Sequence, residues 1–263
     1  MQIIFKYLSV ATILLSVNIS AQSRATGTIN GHDYVDLGLS VMWATCNIGA
    51  NQPEEYGDYF AWGEAETKAR YIEPMDTLQA IETFSACDTP MPDLPDIPQN
   101  IKDTTIYRTT VKPLDDQNVL YNVTCIHEFE GDYGSHIKEV KIEKFKFTDA
   151  ARANWGSIWR MPTDKECQEL IDNCKWQLTE VNGQRGYIIE SKINRKSIFL
   201  PLAGKINDTL LEKDGEYGVY WTSSIDNFDG ISLVVYHIGG IKDLICVMNA
   251  WRFFGLPIRP VTK

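Results

Sequence analysis

The sequence predicts an α+β fold that carries an inserted β-rich segment. Three observations lead there. Helical periodicity shows in only two short stretches, 149–154 and the residues after Thr163. Strand-like runs bounded by Gly, Asn and Asp occupy both flanks of the chain. Between the flanks, from about residue 64 to 147, the composition turns acidic and Pro-rich and then alternates.

Taken in order, residues 1–21 have one early cation, Lys6, an apolar run over 7–17 and small residues ending at Ala21. That is the order of a secretory signal peptide, with cleavage expected before Gln22. The apolar run is too short to span a bilayer, which takes about 20 residues, and Ser9, Thr12 and Ser16 interrupt it. The mature chain is therefore expected to be exported, to the periplasm, the cell surface or the medium, with no membrane span. Tyr34, Val35 and Leu37, then Val41, Met42 and Trp43, read as short strands around Gly38. Gln52-Pro53-Glu54-Glu55 is a turn, after which Tyr59, Phe60 and Trp62 return to the core.

Pro90, Pro92, Pro95 and Pro98, with Asp88, Asp93 and Asp96, make an extended arm. Three strands follow over 105–111, 119–129 and 137–147, the last with a phase slip that predicts a bulge. Together they read as a meander. The boundaries drawn from this are 22–72 and 145–263 for one domain and 73–144 for the insertion. A short helix over 149–154 is expected, capped by Thr148 and ended at Trp155-Gly156. Thr163 and Glu166 form a capping box, and Cys167, Leu170, Ile171 and Cys174 fall on one helical stripe. Strands are expected over 198–202, 219–223, 232–237, 244–248 and 258–261.

Charge narrows the partners. Against 25 Lys and Arg stand 35 Asp and Glu, a formal net charge of −10. Nucleic acid and anionic membrane surfaces need basic patches, so both are excluded as partners. In an exported chain an even number of cysteines favours disulfides, and the six here contain no Cys-x-x-Cys. Cys167 and Cys174 cannot bridge each other, since seven residues of helix rise about 10.5 Å. Cys87 and Cys125 flank the Pro-rich arm and are expected to pair, a closure worth about 3–4 kcal/mol in the chain-entropy account. The alternative is that one or both are buried free thiols.

Catalytic motifs are missing. The sequence has no Gly-x-Ser-x-Gly, no Gly-x4-Gly-Lys-Ser/Thr, no Gly-x-Gly-x-x-Gly and no His-Glu-x-x-His. The four histidines, His32, His127, His136 and His237, read as satisfied or solvated rather than as bases. Asp226, Asn227 and Asp229 are candidate oxygen ligands for calcium, although an ordinary Asp/Asn turn is the preferred reading. No other cofactor is expected. Of the seven tryptophans, at least five are expected in the core, and any exposed one is a candidate sugar-stacking platform.

The phrases YVDLGLSVMWATCNIGA with PEEYGDYFAWGE, then DAARANWGSIWRMPT, then IFLPLAGK, YWTSS and IRPV are distinctive together. They resemble the Fibrobacter succinogenes major paralogous domain family, over about 32–64 and 148–261. WRMPT, a helix, YWTSS and a terminal Arg-containing strand are also similar to the C-type-lectin-like fold that formylglycine-generating enzymes share. The resemblance implies one compact lectin-like domain, two short helices against twisted antiparallel strands. It also implies scaffold roles for Trp159, Arg160, Pro162, Trp221 and Arg259. Arg160 and Arg259 are expected to engage buried carboxylates or carbonyls. Formylglycine-generating enzymes hold copper with a cysteine pair near the domain's C-terminal end, where this chain has only Cys246.

The function expected is a non-catalytic, exported binding or surface-interaction protein, its ligand a glycan or a protein. The alternatives are an exported hydrolase or oxidoreductase with a loop-assembled site, and a structural envelope protein.

Overall fold

The computed structural model describes residues 24–72, 102–115, 118–130, 136–226, 229–237 and 243–263. The expected signal segment, the Pro-rich arm from Asp88 to Pro98, Cys87 and Asn227 lie outside the described residues. Strands dominate, in small antiparallel sheets, with two short helices.

The first sheet opens with β1 (Gly27–Ile29) and β2 (His32–Val35), joined at Asn30-Gly31. Both turn residues have positive φ, 51° and 81°. Such a turn matches the natural twist of paired strands, and Asn and Gly tolerate it best. β3 (Met42–Ala44) pairs with β2, so the two segments expected around Gly38 form one sheet.

The meander is present as β4 (Lys102–Pro113), β5 (Asn118–Glu130) and β6 (His136–Thr148). At about 3.4 Å per residue these strands reach roughly 40 Å. The expected bulge is absent: β5 and β6 stay in one register from Asn118 opposite Thr148 to Glu130 opposite His136. The apolar–charged pattern there changes phase without a change in pairing. Nor does the meander end at residue 144. Phe145 and Phe147 of β6, with Tyr121 of β5, close around Trp62 at centroid distances of 5.9, 4.6 and 5.6 Å. Cys125 is half-buried on the same β5 face and lies opposite Tyr107 and Lys141. Its expected partner Cys87 lies outside the described residues.

α1 (Ala150–Trp155) is capped by Asp149, not Thr148. Thr148 is the last residue of β6 and spends its hydroxyl on Asn118 Oδ1, 2.6 Å away. Asp149 accepts from the N–H groups of Arg152 (3.0 Å) and Met161 (3.0–3.1 Å), tying the helix start to the WRMPT segment. α2 (Asp164–Asn173) has the expected capping box between Thr163 and Glu166. Cys167 and Leu170 are buried, while Ile171 is only partly so. Cys174 is buried too, but it opens the next strand instead of closing the helix stripe. Burial pushes both thiols up, Cys174 to about 11.

A hairpin follows that the sequence reading passed over. β7 (Cys174–Val181) and β8 (Gln184–Ser191) turn at Asn182-Gly183, again with positive φ, and β9 (Ser197–Pro201) completes the sheet. The small hairpin of β10 (Lys205–Asn207) and β11 (Leu210–Glu212) comes next. β12 (Tyr217–Asp226), β13 (Asp229–Tyr236) and β14 (Leu244–Ala250) form a sheet, and β15 (Val261–Thr262) returns to pair with β3.

The β12–β13–β14 sheet is the wall between two cores. Tyr220, Leu233 and Val235 face one, packed with Leu37, Trp43, Leu170, Ile189 and Leu200. Val219, Trp221 and Val234 face the other, with Phe60, Trp62, Trp155, Trp159 and Leu256. A strand buried on both faces takes apolar residues on both, which is why GVYW and LVV run without polar alternation, and the buried Ser232 before LVV donates to the Met248 carbonyl at 3.1 Å. Both cores draw on residues before and after the meander.

Candidate functional site

Five tryptophans are buried: Trp43, Trp62, Trp155, Trp159 and Trp221. Trp176 is half-buried, and Trp251 is 57% exposed. Trp251 stands at the edge of an open hollow of about 300 Å³, lined also by Lys205, Asp229, Asn249, Ala250 and Phe254.

The hollow forms where several short elements end. Trp251 starts a tight turn closed by the Phe254 N–H on the Trp251 carbonyl (3.0 Å). Three attachments hold that turn. The Arg252 carbonyl accepts from Trp62 N–H at 2.8 Å, and its guanidinium lies 3.7 Å from the Phe145 ring centroid. Gly255 exchanges two backbone hydrogen bonds with Ile206, at 2.8 and 2.9 Å. Leu256 and Phe60 exchange two more at 3.0 Å. A Cβ at Gly255 would sit 3.0 Å from Ile206 Cβ and the Tyr71 ring, so any larger residue would have to push those neighbours aside by a few tenths of an ångström. The Trp251 indole is steadied by offset contacts with Phe253 (5.4 Å) and Phe254 (5.3 Å). A large ring on a turn fixed by so many backbone bonds loses little freedom on binding, which favours affinity.

Polar groups ring the indole. Asp226 and Asp229 face each other where β12 meets β13. Asn249 Nδ2 donates to Asp226 Oδ2 at 3.0 Å. Lys205 Nζ lies 3.9 Å from the Phe254 ring centroid and 3.6 Å from Glu212 Oε2. The structure thus places one candidate calcium ligand, Asp229, in the lining of the hollow, with Asp226 as its partner across β12 and β13, while Asn227 lies outside the described residues. Among the described residues no three His, Cys, Asp or Glu side chains gather to hold a metal.

The five scaffold candidates sit elsewhere, in the framework. Trp159 and Trp221 are fully buried and donate their indole N–H groups to the carbonyls of Ile29 (3.2 Å) and Phe60 (2.7 Å). Pro162 is buried, and its carbonyl accepts from Ser223 N–H at 2.8 Å. Arg160 makes a two-pronged pair with Glu166, at 2.8 and 2.5 Å. Burial raises the Glu166 carboxyl, but Arg160 and the Thr163 donors outweigh it and hold the group below its ordinary range. Arg259, only 1% exposed, has no carboxylate partner among the described residues. It donates to Asn47 Oδ1 and to the carbonyls of Ala44, Thr45 and Phe199.

Cys246 is partly buried against the second core, and that burial pushes its thiol up, away from the low pKa a reactive thiolate needs. His32 stacks on Trp155 at 3.7 Å, nearly parallel, and burial lowers its pKa. His237 Nδ1 lies 2.8 Å from Asp243 Oδ1 at the foot of the β13–β14 connection. Sequence reading missed Lys205 and Asn249 as site residues. Nothing local marks them, because the hollow is assembled from β10, β13, β14 and the turn after it.

No helix among the described residues is long and apolar enough to cross a membrane. No protein-family model, no curated protein and no solved structure matches the chain.

Proposed function

We propose that the protein is an exported, non-catalytic binding module whose contact surface is the hollow at Trp251. The observation that carries this is the exposure of one large aromatic ring on a turn anchored at three points, next to a carboxylate, an amide and a cation. Isolated exposed apolar residues are ordinary, but a rigid aromatic beside convergent polar groups is the usual composition of a ligand site. The signal-like N-terminus and the acidic balance of the sequence support export and a partner other than nucleic acid. The resemblance to the Fibrobacter succinogenes major paralogous domain family, and through it to the C-type-lectin-like fold, supports a recognition role for the same framework. Five buried or bonded residues, Trp159, Arg160, Pro162, Trp221 and Arg259, are its scaffold in this reading.

The test is a comparison of the full chain with Trp251→Ala on panels of defined glycans and peptides. Binding by the native chain that falls in the variant supports the reading. A ligand bound equally by both places the contact surface elsewhere, and turnover of any panel member overturns the non-catalytic part.

A further inference from the structure

We infer that the Trp251 hollow takes an uncharged sugar ring within a glycan chain, an inference that rests on the binding role proposed above. Charge at the hollow selects against anions. Lys205 is its cation, and that ammonium is already committed to Glu212 and to the Phe254 ring. Asp226 and Asp229 add negative charge beside it, on a chain of net charge −10. An incoming carboxylate, sulfate or phosphate is repelled by this excess of carboxylates. A purely apolar ligand fares no better, since it strips water from Asp229, Asn249 and Lys205 without replacing its hydrogen bonds.

A neutral pyranose satisfies both conditions. Its C–H face covers exposed indole surface, and its hydroxyls both donate and accept. A hydroxyl donates to a carboxylate such as Asp229, and another accepts from the Asn249 amide, whose Nδ2 has a second hydrogen beyond the one given to Asp226. The volume of about 300 Å³ is at the small end of ligand hollows, which suits one short stretch of a chain rather than a large enclosed ligand.

Affinity electrophoresis of the full chain tests this. Gels containing a neutral glucan, mannan or arabinogalactan are compared with gels containing polygalacturonate. Near-ultraviolet circular dichroism verifies that Trp251→Ala and Trp251→Phe are folded. The expected result is retardation by at least one neutral polymer, weakened about tenfold or more by Trp251→Ala, the scale of an aromatic hot spot. Trp251→Phe should retain part of it, and raising salt should leave it unchanged, because a neutral ligand has no charge to screen. Retardation by none of the neutral polymers overturns the inference. Trp251-dependent binding to polygalacturonate or to peptides alone overturns it too, while leaving the binding role standing. Neutral-polymer binding that survives Trp251→Ala undiminished overturns the role of this hollow altogether.

Discussion

Arg259 Nε donates to Asn47 Oδ1 over 2.8 Å, joining positions 212 residues apart at the centre of the fold. Asn47 in turn donates from Nδ2 to the Tyr56 carbonyl at 2.8 Å, so one amide links the last strands to the loop after β3. Arg259 Nη1 reaches the carbonyls of Ala44, Thr45 and Phe199 as well. Burial disfavours its charge and lowers its pKa below the ordinary guanidinium value.

A lysine cannot span that set of acceptors, because a point charge with three donors does not reproduce a planar fork. Arg259→Lys should therefore lose about 2–4 kcal/mol of stability, the scale of several buried groups left unbonded. Urea unfolding of the two chains measures it. A loss within experimental error would remove Arg259 from the framework.

The two candidate caps of α1 give opposite outcomes. Asp149→Ala removes the cap and orphans the Met161 N–H, and should cost about 2–3 kcal/mol. Thr148→Val removes only a bond to a partly exposed side chain and should cost under about 1 kcal/mol. Thermal melts rank them, and equal losses would contradict the assignment of the cap.

His32 supplies a pH dependence. Its folded pKa lies below 6.5 because burial against Trp155 disfavours the cation. The unfolded chain then binds the proton more readily, so this contribution is present above 6.5 and is lost as pH falls below it. Melting temperature should drop more between pH 7.5 and 5.5 in the native chain than in His32→Phe. An equal drop would show that His32 does not titrate with unfolding.

Much of this fold was legible locally, and the exceptions share a cause. The capping box at Thr163 and Glu166 and the three meander strands follow from spacing alone. So does the burial of five tryptophans, since large rings between strands and glycines have no other place. The cap of α1 was misplaced by one residue, because Thr148 and Asp149 are both good caps and β6 claims Thr148. The β7–β8 hairpin had its signal in Asn182-Gly183, which the helix before it obscured. The hollow had almost none. Lys205, Asp229, Asn249 and Trp251 are brought together by pairing between strands distant in sequence, and only tertiary structure selects Trp251 from seven candidates.

The contact surface at Trp251 is tested most directly by nitrogen-15 nuclear magnetic resonance of the indole N–H groups. Seven tryptophans give a small set of signals, and the one missing in Trp251→Phe is assigned at once. Titration with a neutral oligosaccharide of the bound polymer should shift that signal progressively and saturably, leaving those of the buried Trp43, Trp159 and Trp221 nearly in place. A Trp251 signal that stays fixed at millimolar ligand, whether or not the other indoles move, would contradict the account.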